Sequence, residues 1–98
     1  MHARVSFYQL QEGADPEAGV KGFRDSIGTL EAMEGEQGVM LLVDRTTGKA
    51  ITITLWDTED NLHASAEQAN KVREQASSSG QLSILGVENY EVAIEKRR

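Results

Sequence analysis

Arg4, Ser6 and Tyr8 fall at alternate positions of the stretch ARVSFYQL. Extended backbone would set a guanidinium and two hydroxyls side by side on one face, opposite Val5 and Phe7. A phenol or guanidinium held this way can stabilise a phenolate. The same trio can equally form a polar seam at a dimer contact or barrel end, because buried polar groups usually satisfy one another. Tyr90, in the closing stretch GVENYEV, carries both readings as well. His63 falls on the flank of its helix and reads as a solvated side chain, and His2 is terminal. Two histidines far apart, without any cysteine, make no ligand set, so no metal is expected. The segment GADPEAG lacks the lysine of a phosphate loop. Serines are plentiful, yet no histidine is placed to activate one.

The elements that must position these residues follow from periodicity. Ala3 to Leu10 alternates as a strand. QEGADP interrupts it, with Asp15 as an N-cap and Pro16 as the first helical residue, where its missing N–H costs nothing. The helix buries Val20, Phe23, Ile27 and Leu30 and ends near Gly35. Gly38 to Arg45 forms a second strand, whose VMLLV run is apolar on both faces, the mark of a strand covered on both sides. DRTTGK is a hairpin with Gly48 at positive φ. In the third strand Ile51, Ile53 and Leu55 point one way and Thr52, Thr54 and Trp56 the other. Asp57 or Thr58 caps a second helix that buries Leu62, Ala66, Ala69, Val72 and Ala76 and stops at Gly80. Leu82 to Ile94 is a final strand with a β-bulge around GVEN. The order β-α-β-β-α-β predicts an α+β, ferredoxin-like fold, with two helices on one face of a four-stranded antiparallel sheet.

The 98 residues suit a single domain, with residues 95–98 a flexible basic tail. A composition of 39% hydrophobic and 27% charged residues suits a globular chain. A net charge of −6 argues against nucleic acid, and no apolar run is long enough for a membrane span. The N-terminal stretch lacks the order of a signal peptide, so the expected location is cytoplasmic.

Both faces of the second and third strands carry bulky or uncharged side chains, but the chain has helices for only one. Leaving Trp56 in water would forgo burial of ~150–250 Å², an upper estimate of ~4–6 kcal/mol at ~25 cal/mol per Å². Leaving the Ile51, Ile53 and Leu55 row bare would expose a contiguous patch of the size that marks interfaces. A second copy is the simplest cover, because a two-fold axis makes one patch complementary to itself. A homodimer with sheets packed face to face is the expectation.

The stretches ARV, GVMLLVDRTTGKAITITLWDTEDNL and GVENYEV together resemble the antibiotic biosynthesis monooxygenase (ABM) group of dimeric α+β barrel proteins. The resemblance implies a barrel of two sheets, helices outside, and a small-molecule pocket between the sheet and helix layers of each subunit. It also implies that Trp56 lines that pocket, that Thr52 and Thr54 face the helices with it, and that Ile51, Ile53 and Leu55 form the dimer core. Pocket candidates are Trp56, Thr54, Phe7, Phe23, Leu62 and Ser65, with Arg4, Tyr8 and Tyr90 as further polar contacts. Two departures stand out. Ser65 occupies a position where many members have histidine, which speaks against haem degradation. Glu36 follows Gly35 where an apolar or aromatic residue is usual. The implied activity is cofactor-free oxygenation of a small aromatic or quinol-like substrate. The alternatives are a non-catalytic homodimer that binds a small molecule or assists a partner, and a barrel whose pocket is filled. The sequence supplies no convincing base, and no cofactor is expected.

Overall fold

Short polar side chains set the element boundaries. The computed structural model describes residues 1–98 and contains β1 (His2–Leu10), α1 (Pro16–Glu31), β2 (Glu36–Asp44), β3 (Lys49–Trp56), α2 (Glu59–Ala64), α3 (Ala66–Gly80) and β4 (Leu82–Glu91). Asp15 caps α1 by accepting the Glu17 amide at 3.0 Å, with Pro16 in the first turn. Thr58 caps α2 by accepting the Asn61 amide at 3.1 Å. In the β2–β3 hairpin Asp44 Oδ1 accepts the amides of Thr46 (2.9 Å) and Thr47 (3.2 Å), and Gly48 takes φ 77°. Those amides hold the Asp44 carboxyl below its ordinary range.

The strands form one antiparallel sheet in the order β2-β3-β1-β4, with the helices on one face. Register fixes the two faces. Arg4 lies opposite Thr54, Ser6 opposite Thr52 and Tyr8 opposite Ala50, and all six are buried beneath the helices. The intervening pairs, Val5 with Ile53 and Phe7 with Ile51, point to the side that no helix covers. The apolar core under the helices is built by Leu30, Met33, Trp56 and Leu62, with Phe23, Val39 and Val72 packed against it.

The helix predicted from Asp57 or Thr58 to Gly80 is divided at Ser65. The carbonyl of Leu62, which an unbroken helix would offer four residues on, accepts from Arg4 Nη2 at 2.6 Å and from Ser65 Oγ at 2.8 Å. The break shifts the phase of α3 relative to α2, so Ala66 is exposed and Ser77 is buried, against the expected stripe. Gly80 is not the left-handed residue; Gln81 takes that conformation at φ 56°. Gly80 serves close approach instead. A Cβ on it would stand 2.7 Å from the Cα of Gly19, and one on Gly22 would stand 3.0 Å from the carbonyl oxygen of Ala76. Small residues thus bring α1 and α3 together across the sheet. Gly80→Ala is therefore expected to lose about 1–3 kcal/mol through overpacking against backbone, measured by urea unfolding.

Strand β2 is an edge, and it is covered on one side only. Met40 and Leu42 on its open side remain 41% and 45% exposed. Its run of apolar residues on both faces therefore has no second cover within the chain. In β4 the register slips where Phe7 faces Gly86 and Tyr8 faces Ile84, leaving Leu85 as the bulged residue, 63% exposed. The strand ends at Glu91, before the predicted Ile94. No helix is long and apolar enough to cross a membrane.

Candidate functional site

Under α1 and α3 the sheet presents polar side chains where a small domain normally places hydrocarbon. Arg4, Ser6 and Tyr8 from β1 and Thr52 and Thr54 from β3 form the floor of a small cavity. Phe23, Ser26 and Leu30 of α1 and Ala69, Val72 and Arg73 of α3 form its roof. The space for the centres of water-sized bodies is about 30 Å³. One water needs roughly 10–15 Å³ on that measure, so two waters or a compact ion would fill it. Ser26, Val72 and Ala76 also line a larger groove of about 240 Å³ on the outer side of the α1–α3 seam.

Every floor residue finds a partner, and one buried atom of the floor does not. The hydroxyls of Tyr8 and Thr52 share a hydrogen bond at 3.3 Å, and Trp56 Nε1 donates to Thr54 Oγ1 at 3.1 Å. Arg73 Nε donates to Ser6 Oγ at 3.1 Å and its Nη1 to Asn70 Oδ1 at 2.9 Å. Arg4, only 4% exposed, is gripped on one side: Nη2 donates to the Leu62 carbonyl and to Ser65 Oγ (3.2 Å). Its guanidinium carbon lies 5.4 Å from the centre of the Trp56 ring, within cation–π range. Arg4 Nη1, however, is buried with no hydrogen-bond partner. A buried donor left unpaired costs about 1–3 kcal/mol, and more when charged. Burial lowers the Arg4 pKa from its ordinary value, and the nearby positive charge of Arg73 lowers it further.

The predicted site residues divide accordingly. Thr54 and Phe23 line the cavity, as do Arg4 and Tyr8. Trp56, 0% exposed, does not touch the space; it lies in the core behind it, holding Thr54 and stacking under Arg4. Leu62 and Ser65 stand in that same rear layer as acceptors for Arg4. Phe7, one of the pocket candidates, lies on the opposite face of the sheet, because its pairing with Ile51 puts it one residue out of phase with Ser6 and Tyr8. Tyr90, paired with Ala3, lies at the margin of that open face, half exposed, and donates to Glu88. His63 is exposed, 3.3 Å from Glu59. No group of three or more histidine, cysteine, aspartate or glutamate side chains could hold a metal ion.

Arg73 was missed, and its signal was readable. It lies four residues after Ala69 and three before Ala76, on the stripe already assigned to the sheet, so a cation had to point inward there.

A β-α-β-β-α-β sheet with its helices on one face defines a fold class, and the solved structures agree: the fold is that of the antibiotic biosynthesis monooxygenase proteins. SnoaB, a cofactor-independent oxygenase from Streptomyces nogalater, superposes with a TM-score of 0.75 at 11% identity, over 96% of this chain and 94% of that one. MhuD, a heme-degrader from Mycobacterium tuberculosis with two hemes bound in its active site, gives 0.75 at 18% identity, over 99% and 100%. At these identities the likeness concerns the fold alone. No family model matches the chain. Among curated proteins it is similar to the uncharacterized protein Rv2557 of Mycobacterium tuberculosis, at 36% identity over 75 residues, 76% of this chain and 33% of that protein. It is also similar to the uncharacterized protein Rv2558 of the same strain, at 32% over 83 residues, 81% and 34% respectively. The chain thus spans about a third of the length of the curated relatives it matches.

Proposed function

We propose that the chain is a homodimeric small-molecule-binding domain, with one ligand site between the sheet and helices of each copy. The observation that carries the ligand site is the polar floor of a partly open space, beside which the buried Arg4 Nη1 has no partner in the chain. A domain whose only need was stability would fill that position with hydrocarbon, since half-satisfied buried polar groups cost more than an apolar core. The dimer is supported by the uncovered side of the sheet. Val5, Phe7, Ile51, Ile53, Met40 and Leu42 make one continuous apolar surface there, and its charged neighbour Glu88 lies at the β4 margin. Two sheets stacked about this face would close a barrel, with the helices outside.

A second reading, cofactor-free oxygenation, has one observation in its favour. Two guanidinium groups would hold a phenolate or enolate, the electron-rich form that meets oxygen. Two observations weigh against it. No histidine, aspartate or glutamate lines the cavity to take the substrate proton. The space of about 30 Å³ is also far below the ~150 Å³ of a cavity known to admit benzene. Haem fits no better, since the histidines lie outside the cavity.

The test is a fragment titration followed by amide NMR, with oxygen uptake recorded for every binder. Saturable shifts confined to β1, β3, α1 and α3, without oxygen consumption, are the expected result. A set of neutral and anionic fragments that leaves those amides unmoved would sink the binding reading. Oxygen consumption by any binder would replace it with the oxygenase.

A further inference from the structure

Two cations reach the same small space and no anion does. Arg4 and Arg73 line the cavity, and none of the other lining residues carries a carboxylate. Neither arginine forms a salt bridge with any acid of the chain. The acid nearest by hydrogen bonding is Glu74, one step removed through Asn70, whose amide meets it at 3.4 Å while accepting from Arg73. The chain as a whole has 16 acids against 10 bases, so an arginine pair without an acid is the opposite of what composition predicts. The geometry also keeps one donor free. Leu62 O and Ser65 Oγ take Arg4 Nη2, the Trp56 ring lies under the guanidinium, and Arg4 Nη1 is left with nothing to receive it.

We propose that the cavity binds a compact oxyanion of the carboxylate class, neutralised by Arg4 and Arg73 together. This rests on the small-molecule-binding reading above and names the chemistry of its ligand. Size and charge select the class. About 30 Å³ holds a carboxylate group and little else, and the tyrosine–threonine hydroxyl pair supplies one further donor at the floor. Arg73 gives Nε to Ser6 and one Nη1 hydrogen to Asn70, and a tetrahedral phosphate is bulkier than the planar carboxylate that a space of about 30 Å³ takes. On the helix side Phe23, Leu30 and Val72 offer an apolar wall for a methyl or ethyl group. The ligand is therefore a short-chain carboxylate with its head on the sheet and its tail toward the α1–α3 seam.

The probes are sodium acetate and sodium propanoate, with acetamide as the neutral isostere and chloride and phosphate at matched ionic strength as controls. Binding is read by saturable NMR shifts at Ser6, Thr52, Thr54 and the Arg4 side chain. Acetate and propanoate are expected to saturate, while acetamide, chloride and phosphate do not. Arg73→Gln, at a half-buried position, should weaken the carboxylate by at least about tenfold, the worth of one charge-assisted contact. Arg4→Met should abolish binding; because Arg4 also secures the end of α2, Arg73→Gln keeps the test valid if that variant does not fold. Acetamide binding as well as acetate, phosphate binding more tightly, or an unchanged affinity in Arg73→Gln would each overturn the carboxylate assignment and leave a binding domain for another ligand. Silence from carboxylates together with neutral fragments would overturn the binding reading itself.

Discussion

Trp56→Ala is expected to destabilise the domain by about 3–5 kcal/mol, the range for removing a large aromatic from a closed core. The side chain is 0% exposed and packs with Leu30, Met33 and Leu62. Small domains hold only ~5–15 kcal/mol in total, so the variant should sit at or near the edge of folding at room temperature. Two further losses accompany the cavity. Thr54 loses the indole donor at 3.1 Å, and Arg4 loses the aromatic face beneath its charge. Trp56→Phe separates the effects, because it keeps most of the buried area and removes the indole N–H, and about 1–2 kcal/mol is its expected cost. Urea unfolding at a fixed protein concentration gives both numbers, the fixed concentration being needed because the stability of the proposed dimer would depend on it. A loss under about 1 kcal/mol for Trp56→Ala would mean that the indole is no part of the core.

The second large effect belongs to the other side of the same strand. Ile53→Asp is expected to turn the proposed dimer into a monomer at micromolar concentration. Ile53 pairs with Val5 on one flank and with Met40 on the other, in the middle of the uncovered surface. Two-fold symmetry would place two carboxylates in that apolar contact, and each would lose its hydration without gaining a partner. The dissociation constant should rise by at least about a thousandfold, or ~4 kcal/mol. Sedimentation velocity across a dilution series reads this directly. Because Ile53 faces away from the helices, the variant should keep its helix content by circular dichroism while losing its partner. A parent chain that is already monomeric and cooperatively folded at those concentrations would remove the dimer from the reading.

These two predictions concern opposite faces of one strand, and they show how far residue order reaches. AITITLWD stated that its two rows differ, and the β-α-β-β-α-β order stated that helices cover only one of them. Caps and turns were legible as well, since Asp15, Thr58 and Gly48 act through neighbours a few residues away. The β-bulge was visible because the alternation slips around GVEN, and the structure puts the extra residue just before it, at Leu85. Phe7 could be sorted in the same way: it was a pocket candidate by residue type, whereas its parity with Val5, already present in the sequence, puts it on the open side.

The division of the second helix was not legible. It depends on Arg4 meeting the Leu62 carbonyl across 58 positions of chain, a contact that no local pattern announces. The crossing of Gly19 with Gly80 was hidden in the same way, since a glycine in a helix reads as a weak point until its partner is known.

The sequence by itself determined the order of elements, the two faces of each strand and the surplus of apolar surface, because these arise from periods of two and of about three and a half residues. Only the tertiary structure decided which polar groups share one cavity and which donor is left over. Those depend on strand register and on how closely two helices approach, quantities set by packing among distant residues. Arg4 and Arg73 are 69 positions apart in the chain, and folding alone brings both to the same small space.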